Sequence, residues 1–184
     1  MLLPRLSPSS EPDEPLDFDA LYRKHAPTVA RWAARLGGPA IDADDVVQEV
    51  FLVARRRLRT LGGPAKVTTW LFQVTQRIVL AARRKARLRR WLSRTPPDLA
   101  PALPLTRPTP LEAVERREVT AAVYALLDRL SEQQRRVLIL FEMEGMSTDE
   151  IATLTGARPA SVRVQLHRAR GRFATLFEEW ENQR

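Results

Sequence analysis

Three groups of residues in this chain have the types and spacing to bind charged partners. The first is Asp42-Ala43-Asp44-Asp45-Val46-Val47-Gln48-Glu49. On a helix, Asp44 and Gln48 stand one turn apart, as do Asp45 and Glu49, so together they make a compact acidic and polar patch. Acids at a helix start also complement the macrodipole, so a structural reading stands beside the binding one.

The second group follows at once. No Asp or Glu occurs between Glu49 and Asp98, an interval that holds Arg55, Arg56, Arg57, Arg59, Lys66, Arg77, Arg83, Arg84, Lys85, Arg87, Arg89, Arg90 and Arg94. Cations that neutralise phosphates release counterions, so such a run binds nucleic acid in a salt-dependent way. Trp70 and Phe72 lie among these charges and Trp91 closes them. Charge for the backbone and rings for unstacked bases is the composition that single-stranded DNA requires. The competing reading makes Trp70, Leu71, Val74, Ile78 and Val79 helix core, with only the arginines in solvent. For Trp70 both readings stand.

The third group is STDEIATLTGARPASVRVQLHRAR, residues 147–170. A short helix turns Ile151 and Leu154 inward, Thr155-Gly156-Ala157 makes a turn, and a longer helix starts at Pro159, a favourable first helical residue. Val162, Leu166 and Ala169 form the buried stripe of that helix. Arg158, Ser161, Arg163, Val164, His167, Arg168 and Arg170 then face outward or flank the stripe. A short helix, a glycine turn and a long basic helix is the layout of a helix-turn-helix whose second helix enters the major groove, where arginine pairs with guanine edges. The bland reading is a solvated basic face on a helical bundle.

The elements that must position these groups are helices. Neither half of the chain shows sustained period-two alternation. Helices are expected near 18–36, 42–60 and 67–92, broken by Gly37-Gly38-Pro39 and Gly62-Gly63-Pro64. In the second half, Leu111, Val114, Val119, Val123, Leu126, Leu127 and Leu130 recur at three- and four-residue steps. Ser131 to Gln134 and Ser147 to Glu150 fit capping boxes, and Gly145 and Gly156 sit where helix C-termini need positive φ. Between the halves, TPPDLAPALPLTRPTP carries six prolines in sixteen residues. Proline lacks an N–H and disfavours helix before it, so this is an extended linker reaching about 50 Å. The expectation is an all-α chain of two small helical domains: a disordered tail over 1–16, a first domain over 17–94, a linker over 95–110 and a second domain over 111–180.

Composition narrows the function. A net charge of +8 and a pI near 11.0 point to a polyanionic partner. Cysteine is absent, which removes disulfides and thiolate metal sites. No apolar run is long enough for a membrane span, and the start lacks a secretory apolar core. We expect a soluble cytoplasmic protein with no catalytic site, cofactor or metal. Two other classes fit the sequence less well. A stand-alone helix-turn-helix regulator leaves the acidic patch without a purpose. A recombinase or nuclease needs a nucleophile or a carboxylate cluster for Mg²⁺, and Tyr22 and Tyr124 have no catalytic company.

The motifs in order resemble one family. DADDVVQEVFLVARRR resembles the core-binding segment of the sigma-70 family of RNA polymerase sigma factors. TTWLFQVTQRIVLAARRK resembles its −10 helix, and LSEQQRRVLILFEMEGMSTDEIATLTGARPASVRVQLHRARGRF its −35-reading region 4. The resemblance covers most of residues 18–178, and the lack of a region 3 domain is the mark of the extracytoplasmic-function (ECF) group. It implies a promoter-recognition subunit in which Asp44, Asp45, Gln48, Glu49 and Leu52 meet the β′ clamp helices of core RNA polymerase. Gly63, Pro64, Ala65, Lys66, Val67, Trp70, Gln73, Arg77, Arg83 and Arg84 would hold the melted −10 strand. Arg158, Ser161, Val162, Arg163, Val164, His167, Arg168 and Arg170 would enter the −35 groove. The β flap and an anti-sigma factor are further implied partners. Arg77 replaces a common Asn, and Arg158, Gln165 and His167 also depart from the usual pattern, which bears on promoter sequence.

Overall fold

The computed structural model describes residues 17–57, 64–93 and 110–183. The expected tail, most of the linker, and Gly62 and Gly63 lie outside the described residues. The described elements are helical throughout. The first block holds α1 (Phe18–Gly37), α2 (Ala43–Arg57) and α3 (Pro64–Ser93). The second holds α4 (Pro110–Leu127), α5 (Glu132–Leu138), a π-helical turn (Ile139–Met143), α6 (Thr148–Thr155) and α7 (Pro159–Glu181).

Local chemistry sets the helix ends. The Asp17 carboxylate accepts from the backbone N–H groups of Asp19 and Ala20, capping α1. Asp42 does the same for Asp44 and Asp45 at the start of α2. These side chains satisfy donors that a helix leaves open at its first turn. The two expected capping boxes are both present, Ser131 with Gln134 and Ser147 with Glu150. Gly145 and Gly156 have φ of 68° and 69°. The π-helical turn after α5 has no signature in the sequence, because nothing in its residues distinguishes it from α-helix.

In the first block the three helices pack on one another. Val46, Val47, Val50, Phe51 and Ala54 recur along one face of α2, as the helical period requires. Phe72 of α3 is fully buried and meets Trp32 of α1 edge-on, with ring centroids 5.1 Å apart. Thr75 is buried at no cost in unmet hydrogen bonding, since its hydroxyl donates to the Leu71 carbonyl at 2.7 Å.

In the second block Leu126, Leu127, Leu130, Val137 and Ile139 bury against Leu166, Ala169 and Leu176. Val119, expected in the apolar stripe of α4, is exposed: it lies before the segment where α4 meets the core. The two blocks are docked. α3 lies against α6 and α1 against the π-helical turn.

Candidate nucleic-acid and partner interfaces

α2 presents Asp44, Asp45, Gln48 and Glu49 to solvent, with Leu52 half exposed beside them. The opposite face of α2 is core, so this patch is held rigidly. Beside it runs an open groove of about 380 Å³, lined by Phe18, Tyr22, Val47, Phe51 and Leu52 together with Asp44, Gln48 and Arg55. The Tyr22 and Phe51 rings meet edge-on at 4.7 Å. An acidic rim over an aromatic floor suits a basic helical surface carrying apolar side chains. Phe18 and Tyr22 were missed in the sequence because α1 brings them to α2 from some 25 residues away.

On α3, Gln73, Arg77 and Arg84 are exposed, with Trp70 half buried next to them. Their spacing places them along one stripe. Trp70 is therefore both packed on the core and open at one edge. Pro64, Ala65 and Lys66 form the first turn of the helix. Two expectations need correction. Val67 is 1% exposed, so its side chain fills the core under the stripe and offers nothing to a strand. Arg83 is 7% exposed, and its guanidinium is held by Asp128 and Glu132 of the second block. At the far end of α3, Leu88, Trp91 and Leu92 are largely exposed.

The second block contains the helix-turn-helix. Ile151 and Leu154 of α6 are buried, as are Val162, Leu166 and Ala169 of α7. Gly156 ends α6 in the left-handed conformation. Arg158 precedes α7 without a side-chain cap, and Pro159 opens it. Ser161, Arg163, Val164, His167 and Arg168 are exposed on the outer face. Val162, expected among the DNA contacts, belongs to the core. Arg170 is also diverted: it pairs with Glu142 at 2.6 Å and lies 4.6 Å from the Phe141 ring centroid, because the π-helical turn brings both residues under α7.

The Ser147–Glu150 box caps the start of α6, the first helix of the helix-turn-helix. Its hydrogen bonds to Ser147, side chain first and then backbone, keep the Glu150 carboxyl below its usual pKa of 4.5. The charge is thus favoured in the folded state. The resulting stabilisation is complete above 4.5 and is lost as pH falls through the lower folded value. The stability difference between the parent and Glu150→Gln, followed by thermal melts, is expected to shrink from pH 6 to pH 3. A difference independent of pH would refute the box as its source.

A second groove, about 420 Å³ and almost wholly apolar, lies between α4, α5, the π-helical turn and α7. Val123, Leu127, Met143, Phe173 and Phe177 line it, with Glu142 and Arg170 at its rim. The available signal was the continuation of apolar spacing along α7 beyond Arg170. Among the described residues no group of three His, Asp or Glu could hold a metal, and no helix is long and apolar enough to cross a membrane.

These two helical blocks match known families in the same order. Residues 21–89 match the model of sigma-70 region 2, and residues 120–173 match that of sigma-70 region 4. The ECF sigma factor SigL of Mycobacterium tuberculosis is 34% identical over 151 residues, covering 82% of this chain and 82% of the relative. The chain belongs to the ECF sigma factors of the sigma-70 family. As a sigma factor it directs RNA polymerase to promoters. The ECF sigma factor SigE of Mycolicibacterium smegmatis is 32% identical over 178 residues, covering 90% of this chain and 68% of that one. Among solved structures, CnrH in complex with the cytosolic domain of CnrY is 27% identical, with a TM-score of 0.56 and 88% of each chain covered. RpoE of Bartonella quintana, solved with the anti-sigma factor NepR, shares the fold at 22% identity and a TM-score of 0.59, covering 88% of this chain and 97% of that one.

Proposed function

We propose that this sigma factor docks on the β′ clamp helices of core RNA polymerase through Asp44, Asp45, Gln48, Glu49 and Leu52. The observation that carries the reading is the rigid acidic face of α2, with its aromatic-floored groove, on the same block as the arginine stripe of α3. In this reading residues 17–94 bind core and the −10 element, and 111–180 read the −35 element across the linker 95–110. Trp70, Gln73, Arg77 and Arg84, with the segment from Gly63 to Lys66, hold the melted −10 strand, supplying cations to phosphates and a ring edge to a base. Arg158, Ser161, Arg163, Val164, His167 and Arg168 enter the −35 major groove. The apolar groove of the second block receives the β flap.

Each element alone binds weakly. Carrying both on one polymerase makes the second contact intramolecular, so affinity is high only where both elements are present. Polymerase performs the chemistry, and the sigma chain itself is no enzyme and acts in the cytoplasm. An anti-sigma factor is the expected regulator, a reading supported by the complex in which RpoE was solved.

The test is binding of the purified chain to sigma-free core polymerase, followed by selection of promoters from a random library by the reconstituted holoenzyme. Tight binding and a two-element consensus are expected. Failure to bind core, with duplex DNA still bound, would point to a stand-alone regulator. On the selected −35 sequence, Arg168→Ala is expected to cost about 1–3 kcal/mol and to relax specificity at one position. A uniform loss across all sequences would make Arg168 a phosphate contact.

A further inference from the structure

A cluster of buried cations stands apart from the interfaces described above. Where the end of α1, the middle of α3 and the start of α5 meet, Gln76, Val79, Arg83, Glu132, Arg135 and Arg136 line a cavity of about 10 Å³. That is room for one group the size of a water molecule.

The walls of this cavity are rich in donors. Arg135 is 2% exposed, and its guanidinium is fixed at one end, where Nη1 donates to the Leu36 carbonyl at 2.6 Å. Among the described residues its Nη2 has no hydrogen-bond partner, nor does Arg136 Nε, and both atoms are buried. A guanidinium only donates, so each of these N–H groups requires an acceptor. The neighbouring carboxylates are turned to other cations. Glu132 Oε2 lies 2.6 Å from Arg83 Nη1. Asp128 Oδ1 lies 2.8 Å from Arg83 Nη2 and 3.3 Å from Arg135 Nε.

The charges do not balance either. Three guanidinium groups, on Arg83, Arg135 and Arg136, face the two carboxylates of Asp128 and Glu132, which leaves one positive charge over. Burial, and then repulsion from Arg83, pull the Arg135 guanidinium down to about 10. Burial lowers that of Arg136 as well. A buried charge is costly unless it is paired and hydrogen-bonded. A water molecule accepts hydrogen bonds, but it brings two hydrogens of its own and no charge. A monatomic anion accepts from several N–H groups at once and cancels the excess. Polyatomic anions such as phosphate or gluconate are too large for the space.

We propose that this cavity is a halide site, in which one chloride ion accepts from Arg135 Nη2 and Arg136 Nε and neutralises the surplus guanidinium. The site is separate from the acidic face of α2 and from the outer face of α7, so it holds or fails independently of the polymerase and promoter assignments.

Thermal melts of the full chain at constant ionic strength, with sodium gluconate exchanged stepwise for sodium chloride, test the site. The midpoint is expected to rise saturably, by about 3–6 °C at ten times the dissociation constant, because the ion binds only the folded chain. Arg136→Gln removes one donor together with the surplus charge and is expected to lose this increment. The control, Arg172→Gln, removes the same charge from an exposed position and should keep it. The linewidth of the chloride-35 magnetic resonance signal, followed on the parent chain alone, should report one saturable site with the dissociation constant found in the melts. Equal midpoints in chloride and gluconate would mean that water fills the cavity, and would overturn the proposal. Equal increments in Arg136→Gln and Arg172→Gln, or a linewidth that never saturates, would reduce the effect to screening of surface charge and overturn it as well.

Discussion

Reversing Asp45 and Glu49 together to arginine is expected to weaken binding to core RNA polymerase by about 2–3 kcal/mol, a factor of roughly 30 to 150. Both side chains are exposed and face away from the core, so the change acts on the partner and not on the packing of α2. Like charges brought together across an interface cost more than the simple loss of an attraction. The neutral pair Asp45→Asn and Glu49→Gln should therefore lose less than the reversal. Asp45 also lies in the first turn of α2, and losing its favourable interaction with the helix dipole costs about 0.3–1 kcal/mol of stability. That cost shows in a thermal melt and can be separated from affinity. Isothermal titration against sigma-free core at two salt concentrations is the decisive measurement. Equal affinity of the parent and the reversal would remove α2 from the interface.

Phe72→Ala is expected to destabilise the first block by about 3–5 kcal/mol. Its ring is fully buried and packs edge-on against Trp32, so truncation removes both burial and a favourable ring pair. A block of this size keeps only a small stability margin. At about 4–8 °C per kcal/mol for a small domain, the midpoint should fall by at least 12 °C. The consequence for function is indirect but complete, because the proposed polymerase-binding and strand-binding faces of α2 and α3 lie on the outside of the core that Phe72 holds together. Urea denaturation followed by circular dichroism measures the loss. A cost below about 1 kcal/mol would mean that Trp32 and its neighbours close over the cavity.

Arg83 marks the boundary between what was legible in the residues and what was not. In the sequence it is one arginine of a basic run. In the structure its partners lie 45 and 49 residues away, on the other block. Arg170 is similar: it belongs by spacing to the reading helix, yet the π-helical turn supplies Glu142 as a partner 28 residues back. Val67 stands among residues assigned to DNA, but the rotation of α3 against α1 and α2 turns it into the core.

By contrast, the capping boxes at Ser131 and Ser147, the positive φ of Gly145 and Gly156, and the Val162, Leu166 and Ala169 stripe were all readable in advance. Each depends on atoms within one or two helical turns, so residue type and spacing were enough. The same holds for the acidic face of α2, since a cap at Asp42 and a buried valine stripe leave Asp44, Asp45, Gln48 and Glu49 only the outside. The sequence by itself therefore determined the helices, the helix-turn-helix and the order of the two blocks. Only the tertiary structure decided which arginines remain free and where the two apolar grooves open. It also decided that the second block closes on the first, because these depend on charges and surfaces that meet only after distant helices have packed.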